Sequence, residues 1–250
     1  MSYDGGENLA PGSGALTYAA LTAEARRQAA LPRPKAHGRR EADVRRVPWW
    51  RVRTLREISG LSILVPAVIS AVLVLVIYAL VGDSSLAPQA LLVLVVAVGL
   101  ALYGGYRLRR GGGATARALA RAACALGPVS KRYALLYDPP WGGIALLALF
   151  PAGGSDHVRP EAVLELWPLP LPQPRFPGQR GLPADLPVES VGNLEVRGRT
   201  DESPLGVPWI DGRAYWPKHS YGPDDLNGEE GRALMGRLLV DVGDGEWIES

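Results

Sequence analysis

Two apolar runs dominate the chain. Ile58 to Gly82 reads ISGLSILVPAVISAVLVLVIYALVG, and Leu86 to Tyr106 reads LAPQALLVLVVAVGLALYGGY. Each is long enough for a helix that crosses a hydrocarbon core of roughly 30 Å at about 1.5 Å per residue. Both are apolar on every side, the pattern of a lipid-facing span, where a surface helix would carry a single stripe. In lipid the backbone must satisfy its own hydrogen bonds, so helix is expected despite the many Val and Ile. Two helices buried in a large water-soluble core are the alternative, but too little other apolar sequence remains to wrap them. The intervening LVGDSSLAPQAL, Leu80 to Leu91, then reads as a reversal of direction. Ser84 or Ser85 can cap the second helix, and Pro88 falls in its first turn, where a missing N–H is harmless. The pattern predicts a hairpin over 58–106 with spans at about 61–82 and 86–106. Pro66 is placed to bend the first span near its start. Ala97, Ala101 and Gly105 form a small-residue stripe that Ala67 and Ala71 can meet, by packing within the hairpin in preference to a second copy.

Downstream the pattern changes to short apolar runs broken by Pro and Gly. KRYALLYD, GGIALLALFP, AVLELWPL, GNLEVRGR and GVPWIDGRAYWP read as strands. Asp211-Gly212 is the pair that a two-residue type I′ turn prefers. That turn sets Trp209 opposite Ala214 and Val207 opposite Trp216, with Pro208, Ile210, Arg213 and Tyr215 on the other face. Seven prolines between Pro168 and Pro187 predict an extended surface loop. In NGEEGRALMGRLLVDV, Asn227 is placed to cap a last helix with Glu230 at the capping-box position; Ala233, Leu234, Leu238 and Leu239 would face the strands. The expected fold is a membrane-anchored α+β chain: a two-helix transmembrane hairpin, then four to six mostly antiparallel strands in a small barrel or sandwich with a C-terminal helix. Ahead of the hairpin, a Gly-rich lead predicts disorder. ALTYAALTAEARRQAALP, Ala15 to Pro32, predicts a transient helix with Leu16, Ala20 and Ala23 on one side.

Charge sharpens this picture. Residues 1–57 carry 11 basic and 6 acidic side chains, residues 58–106 only Asp83, residues 107–132 seven basic and no acidic groups, and residues 133–250 nine basic against 18 acidic. A basic collar therefore surrounds the apolar stretch, and an acidic region follows. Arg45, Arg46, Arg51, Arg53 and Arg56 precede the first span; Arg107, Arg109, Arg110, Arg117 and Arg121 follow the second; the loop between has none. The positive-inside rule then places both termini in the cytoplasm, at the cell (inner or plasma) membrane. No apolar h-region of a cleaved signal precedes the first span, which is expected to act as an uncleaved insertion signal. Arg45, Arg46, Trp49, Trp50, Arg51, Arg53, Arg107, Arg109 and Arg110 are the expected contacts to anionic headgroups. The acidic C-terminal region would be repelled by nucleic acid, so no nucleic-acid partner is implied.

Chemistry adds little. The single cysteine, Cys124, excludes an intrachain disulfide and a cysteine-rich zinc site. Ser155-Asp156-His157 holds triad residue types only as neighbours in a turn. PDDLNG fails as a calcium loop, with Pro223 at the first position and Leu234 at the twelfth. Gly111 to Gly113 lack the spacing of a phosphate loop and read as a flexible joint. No catalytic residue, metal ligand or cofactor is implied. Trp209, Tyr215 and Trp216 make a candidate interaction face, although indoles packing the domain are the simpler reading.

The motifs YALLYDP, LALFP and VPWIDGRAYWP, together with the hairpin, resemble uncharacterised two-pass integral membrane proteins of high-GC bacteria. The Arg-over-Lys bias of 24 to 3 suits that source. The layout also looks like bacterial membrane-anchored pleckstrin-homology-like proteins, an analogy of architecture that transfers no function. The expected organisation is a disordered, basic cytoplasmic tail (1–57), the hairpin (58–106), a basic juxtamembrane linker and helix (107–130) and an acidic cytosolic β-rich domain (131–250). The expected role is a non-enzymatic membrane-anchored interaction or scaffold protein that binds the bilayer and an unidentified protein partner, with homo-oligomerisation left open. A membrane-bound enzyme or ligand-sensing regulator with a pocket in the C-terminal domain is the alternative.

Overall fold

The computed structural model describes residues 16–30, 41–81, 87–138, 144–167, 186, 189–198, 206–229 and 231. The chain divides into two compact units: Met1–Gly38 with Val129–Val196 and Pro208–Ser250, and Arg39–Pro128 with Arg197–Val207.

The first unit is built on a seven-stranded antiparallel sheet: β1 (Val129–Asp138), β2 (Ile144–Pro151), β3 (Ala162–Leu166), β4 (Val191–Arg197), β5 (Val207–Ile210), β6 (Arg213–Ala214) and β7 (Pro217–Tyr221). Its order is β6-β5-β4-β1-β2-β3-β7. β6 and β7 lie at opposite ends of this order, yet only Tyr215 and Trp216 separate them along the chain. The sheet therefore curls until its two ends meet at Tyr215 and Trp216, and Trp167 N donates to Trp216 O at 2.8 Å to continue the β3–β7 ladder. That is seven strands where four to six were expected. The extra one, PKHSY, carries no apolar alternation and is held by pairing with β3, Val163 opposite Tyr221 and Glu165 opposite His219.

Curling gives the sheet an inner and an outer face. Tyr133 and Leu135 of β1, Ala145, Leu147 and Leu149 of β2, and Ala162, Leu164 and Leu166 of β3 fill the inside with Leu194, Val196, Ile210 and Tyr215. The alternate residues Ala134, Leu136, Leu146, Ala148, Phe150 and Val163 form an outer layer with Leu21, Ala25 and Leu226. Both faces are covered, which is why IALLALF reads as an unbroken apolar run where a half-exposed strand would alternate.

The outer cover comes from α1 (Tyr18–Ala29), a helix packed on the sheet where a transient one was expected. Its buried face is Leu21, Thr22 and Ala25, while Ala23 is exposed, so the anticipated face is rotated. Thr17 caps it, accepting from Ala20 N. Tyr18 N and Ala19 N donate to Val158 O and Asp156 O at 2.9 Å each, and Gln28 Oε1 accepts from Tyr137 N at 2.7 Å. The Tyr18 ring stands edge-on to Phe150 and lies under the Arg132 guanidinium.

Leu226 of the same outer layer comes from α6 (Pro223–Asn227), a single turn that Asp225 closes by accepting from Gly222 N. Asn227, expected as an N-cap, is instead its last residue. Glu230, Ala233, Leu234, Leu238 and Leu239 lie outside the described residues, as does the proline-rich segment apart from Leu186, which joins the inner core.

The second unit contains a 3₁₀ turn (Trp49–Arg51), α2 (Arg53–Ser59), α3 (Leu61–Val81), α4 (Ala87–Arg110) and α5 (Gly112–Ala123). Two of these helices, over Leu61–Leu80 and Pro88–Arg110, are long and apolar enough to cross a membrane. Gly60, left-handed at φ 85°, separates α2 from α3, so Ile58 and Ser59 belong to the shorter helix. Pro88 stands in the first turn of α4, as its sequence position requires; Ser84 and Ser85 lie outside the described residues.

α3 and α4 pack on each other, and Ala67 of α3 and Ala97 of α4 are both buried. Among the less exposed positions, 64, 67, 71 and 74 on α3 and 90, 94, 97, 101 and 104 on α4 recur at alternating threes and fours, which suits a left-handed crossing. The close approach falls at Gly104: a Cβ there would lie 2.9 Å from Leu64 N, whereas Gly105, the anticipated contact, has nothing within 4 Å.

The triple glycine is likewise no flexible joint. Gly112 and Gly113 open α5, and a Cβ on Gly112 would lie 1.8 Å from Ile58 O. Glycine here lets the turn from α4 into α5 run against α2.

Candidate functional site

The basic collar is held by the small helical core of the second unit. Val44, Val52, Leu55 and Ile58 meet Ala116, Leu119, Ala120 and Ala123 of α5 there, all buried. The spacing of the α5 residues keeps one face inside and leaves Arg117 and Arg121, four apart, on the exposed side.

Asp43 organises the approach to α2. Its carboxylate accepts from Arg45 N at 3.0 Å and from Arg45 Nε and Nη2 at 3.1 and 3.0 Å, and it pairs with Arg46 at 3.7 Å. These bonds hold the Asp43 carboxyl below its ordinary pKa, burial opposing them. Glu41 Oε1 accepts from Thr54 N at 2.7 Å in the first turn of α2.

The nine anticipated surface contacts all fall in this unit, but they differ in freedom. Arg45 and Arg46 share Asp43, Arg53 pairs with Glu57 at 3.0 Å, and Arg107 Nη2 donates to Ile58 O at 3.3 Å. Arg51, Arg109 and Arg110 are exposed and make no ion pair among the described residues. Trp49 and Trp50 stack edge to face at 5.9 Å, with Trp50 half exposed.

Beside them is a cleft of about 630 Å³, walled by Val44, Val47, Pro48 and Trp49 on one side and by Arg117, Arg121 and Cys124 of the α5 end on the other. Nothing in the one-dimensional reading joined Arg117 and Arg121 to Trp49. Their i, i+4 spacing interleaved with Ala116, Ala120 and Ala123 was the available signal.

The remaining candidates resolve into structure. Trp209, Tyr215 and Trp216 are 4%, 4% and 3% exposed, so the anticipated interaction face is internal. Trp209 does lie opposite Ala214, across a turn with φ of 50° at Asp211 and 73° at Gly212. It is Ile210 and Tyr215, from the face opposite the indoles, that enter the inner core. Ser155-Asp156-His157 forms the lip on which α1 is seated, through the Asp156 carbonyl. PDDLNG forms α6 and its C-terminal end.

In coarse terms the fold defines an α+β chain in which an apolar two-helix hairpin accompanies a curled antiparallel sheet. Comparison with protein-family models, curated proteins and solved structures yields no match.

Proposed function

We propose that this is a non-enzymatic, membrane-anchored interaction protein whose hairpin holds a small acidic β domain at the cytoplasmic surface. The carrying observation is the uncovered hairpin. Among the described residues, twenty large hydrophobic side chains from Val65 to Tyr106 are exposed, and the most apolar windows of the two helices are only 6% and 11% buried. At about 1.5–3 kcal/mol for each side chain left in water, that surface costs tens of kcal/mol, more than the roughly 5–15 kcal/mol net stability of a folded domain. Lipid removes the cost.

A second observation supports an even number of crossings. α1 and β1 pack within one unit although the whole hairpin lies between them in sequence. Two spans return the chain to the side it left, and the arginines at both ends argue that this side is the cytoplasm.

Single cysteines at Ser85 and at Ser250, each in a Cys124→Ala background, test the reading with a membrane-impermeant thiol reagent on intact cells. Ser85→Cys is expected to label in intact cells and Ser250→Cys only after lysis. Labelling of Ser250→Cys from outside would overturn the cytoplasmic placement.

A further inference from the structure

We propose that the cleft beside Trp49 binds one anionic phospholipid headgroup, its phosphate held by Arg117 and Arg121 and its glycerol and upper acyl chain lying against Val47, Pro48 and Trp49. The inference deepens the membrane-anchored reading and rests on it.

Three features converge. The first is charge without a counterion. Arg117 and Arg121 stand one helical turn apart on α5 and make no ion pair among the described residues. Among the described residues no carboxylate lines the cleft, and Asp43, next to Val44 in the chain, is engaged by Arg45 and Arg46. Like charges at this spacing weaken a helix unless an anion sits between them. Guanidinium groups suit a phosphodiester, because each offers paired N–H donors in a plane.

The second is the apolar remainder of the wall. A free phosphate would satisfy the arginines and leave Val47 and Pro48 wet, whereas an amphiphile satisfies both parts. A volume of about 630 Å³ lies in the ordinary range for small-molecule sites. The third is supply. The cleft belongs to the same compact unit as the hairpin, and Arg121 follows the last residue of α4 by only eleven positions, so lipid is the anionic amphiphile at hand. Trp49 has the amphipathic ring that favours the headgroup region.

The test uses the full chain in mild-detergent micelles, titrated separately with short-chain phosphatidylglycerol, short-chain phosphatidylcholine and inorganic phosphate, with bound adducts counted by native mass spectrometry. One phosphatidylglycerol is expected to be retained about tenfold more tightly than phosphatidylcholine, and excess phosphate should not displace it. Arg117→Gln/Arg121→Gln should abolish the preference. Arg26→Gln/Arg159→Gln, which removes the same charge from exposed positions of the first unit, should preserve it. Equal retention of both lipids, an unaffected Arg117/Arg121 variant, or an equal loss in the control pair overturns the site. Displacement by phosphate overturns the lipid in favour of a free anion. Alkaline carbonate extraction of cell membranes separates the two readings: release of the chain defeats the anchor, while retention without lipid preference defeats only the cleft.

Discussion

At the residue scale, Tyr133 shows how burial becomes pH dependence. Its hydroxyl donates to Glu189 O at 2.9 Å inside the curled sheet. Burial, and then the charges of Asp211 and Glu189, hold the phenol well above its ordinary pKa. The folded state thus keeps a proton that the unfolded chain loses near pH 10, so this contribution is complete below about pH 10 and falls as pH rises beyond it. Denaturant unfolding at pH 8 and pH 11 should show lower stability at the higher pH, with tyrosinate absorbance appearing on unfolding. Tyr133→Phe should cost about 1 kcal/mol at neutral pH and reduce the alkaline loss. Asp43 has the opposite sign. Its pKa is depressed chiefly by the bonds from Arg45, so its contribution is present above the ordinary carboxylate pKa and fades as pH falls below it.

At the element scale, the hairpin and its exit depend on backbone proximity. Gly104→Val should drive a side chain into Leu64 and separate α3 from α4, costing about 1–3 kcal/mol, while Gly105→Val should be tolerated. Thermal unfolding in detergent distinguishes the pair; equal effects would contradict the packing. Gly112→Ala should displace α5 from α2, because the added methyl would overlap Ile58 O. A lowered melting temperature and altered proteolysis around residues 110–115 are the expected signs.

At the scale of the whole molecule, the first unit is assembled from distant parts of the chain. Leu21 is fully buried against the outer sheet face, so Leu21→Ala should destabilise this unit by about 2–5 kcal/mol. The segment 129–250 expressed without residues 1–38 should expose Leu146, Ala148, Phe150 and Val163, aggregate and bind a hydrophobic dye. A peptide spanning residues 15–30, supplied in trans, should reduce that dye binding. Equal solubility and dye binding with and without the N-terminal segment would show that α1 is dispensable.

The sequence by itself determined what depends on local pattern and length. Long, all-round apolar runs specify the two helices, period-2 and continuous apolar runs specify most strands, and Asp211-Gly212 specifies its turn, because each signal lies within a few consecutive residues. Tertiary structure alone decided which side of α1 is buried, that Gly104 and not Gly105 meets the facing helix, that the triple glycine is a tight corner, and that PKHSY pairs as a strand. It also buried Trp209, Tyr215 and Trp216 and brought Arg117 and Arg121 to Trp49. Each of these depends on contacts between residues far apart in the chain, where side-chain type records a preference for burial or charge but not the surface that will satisfy it.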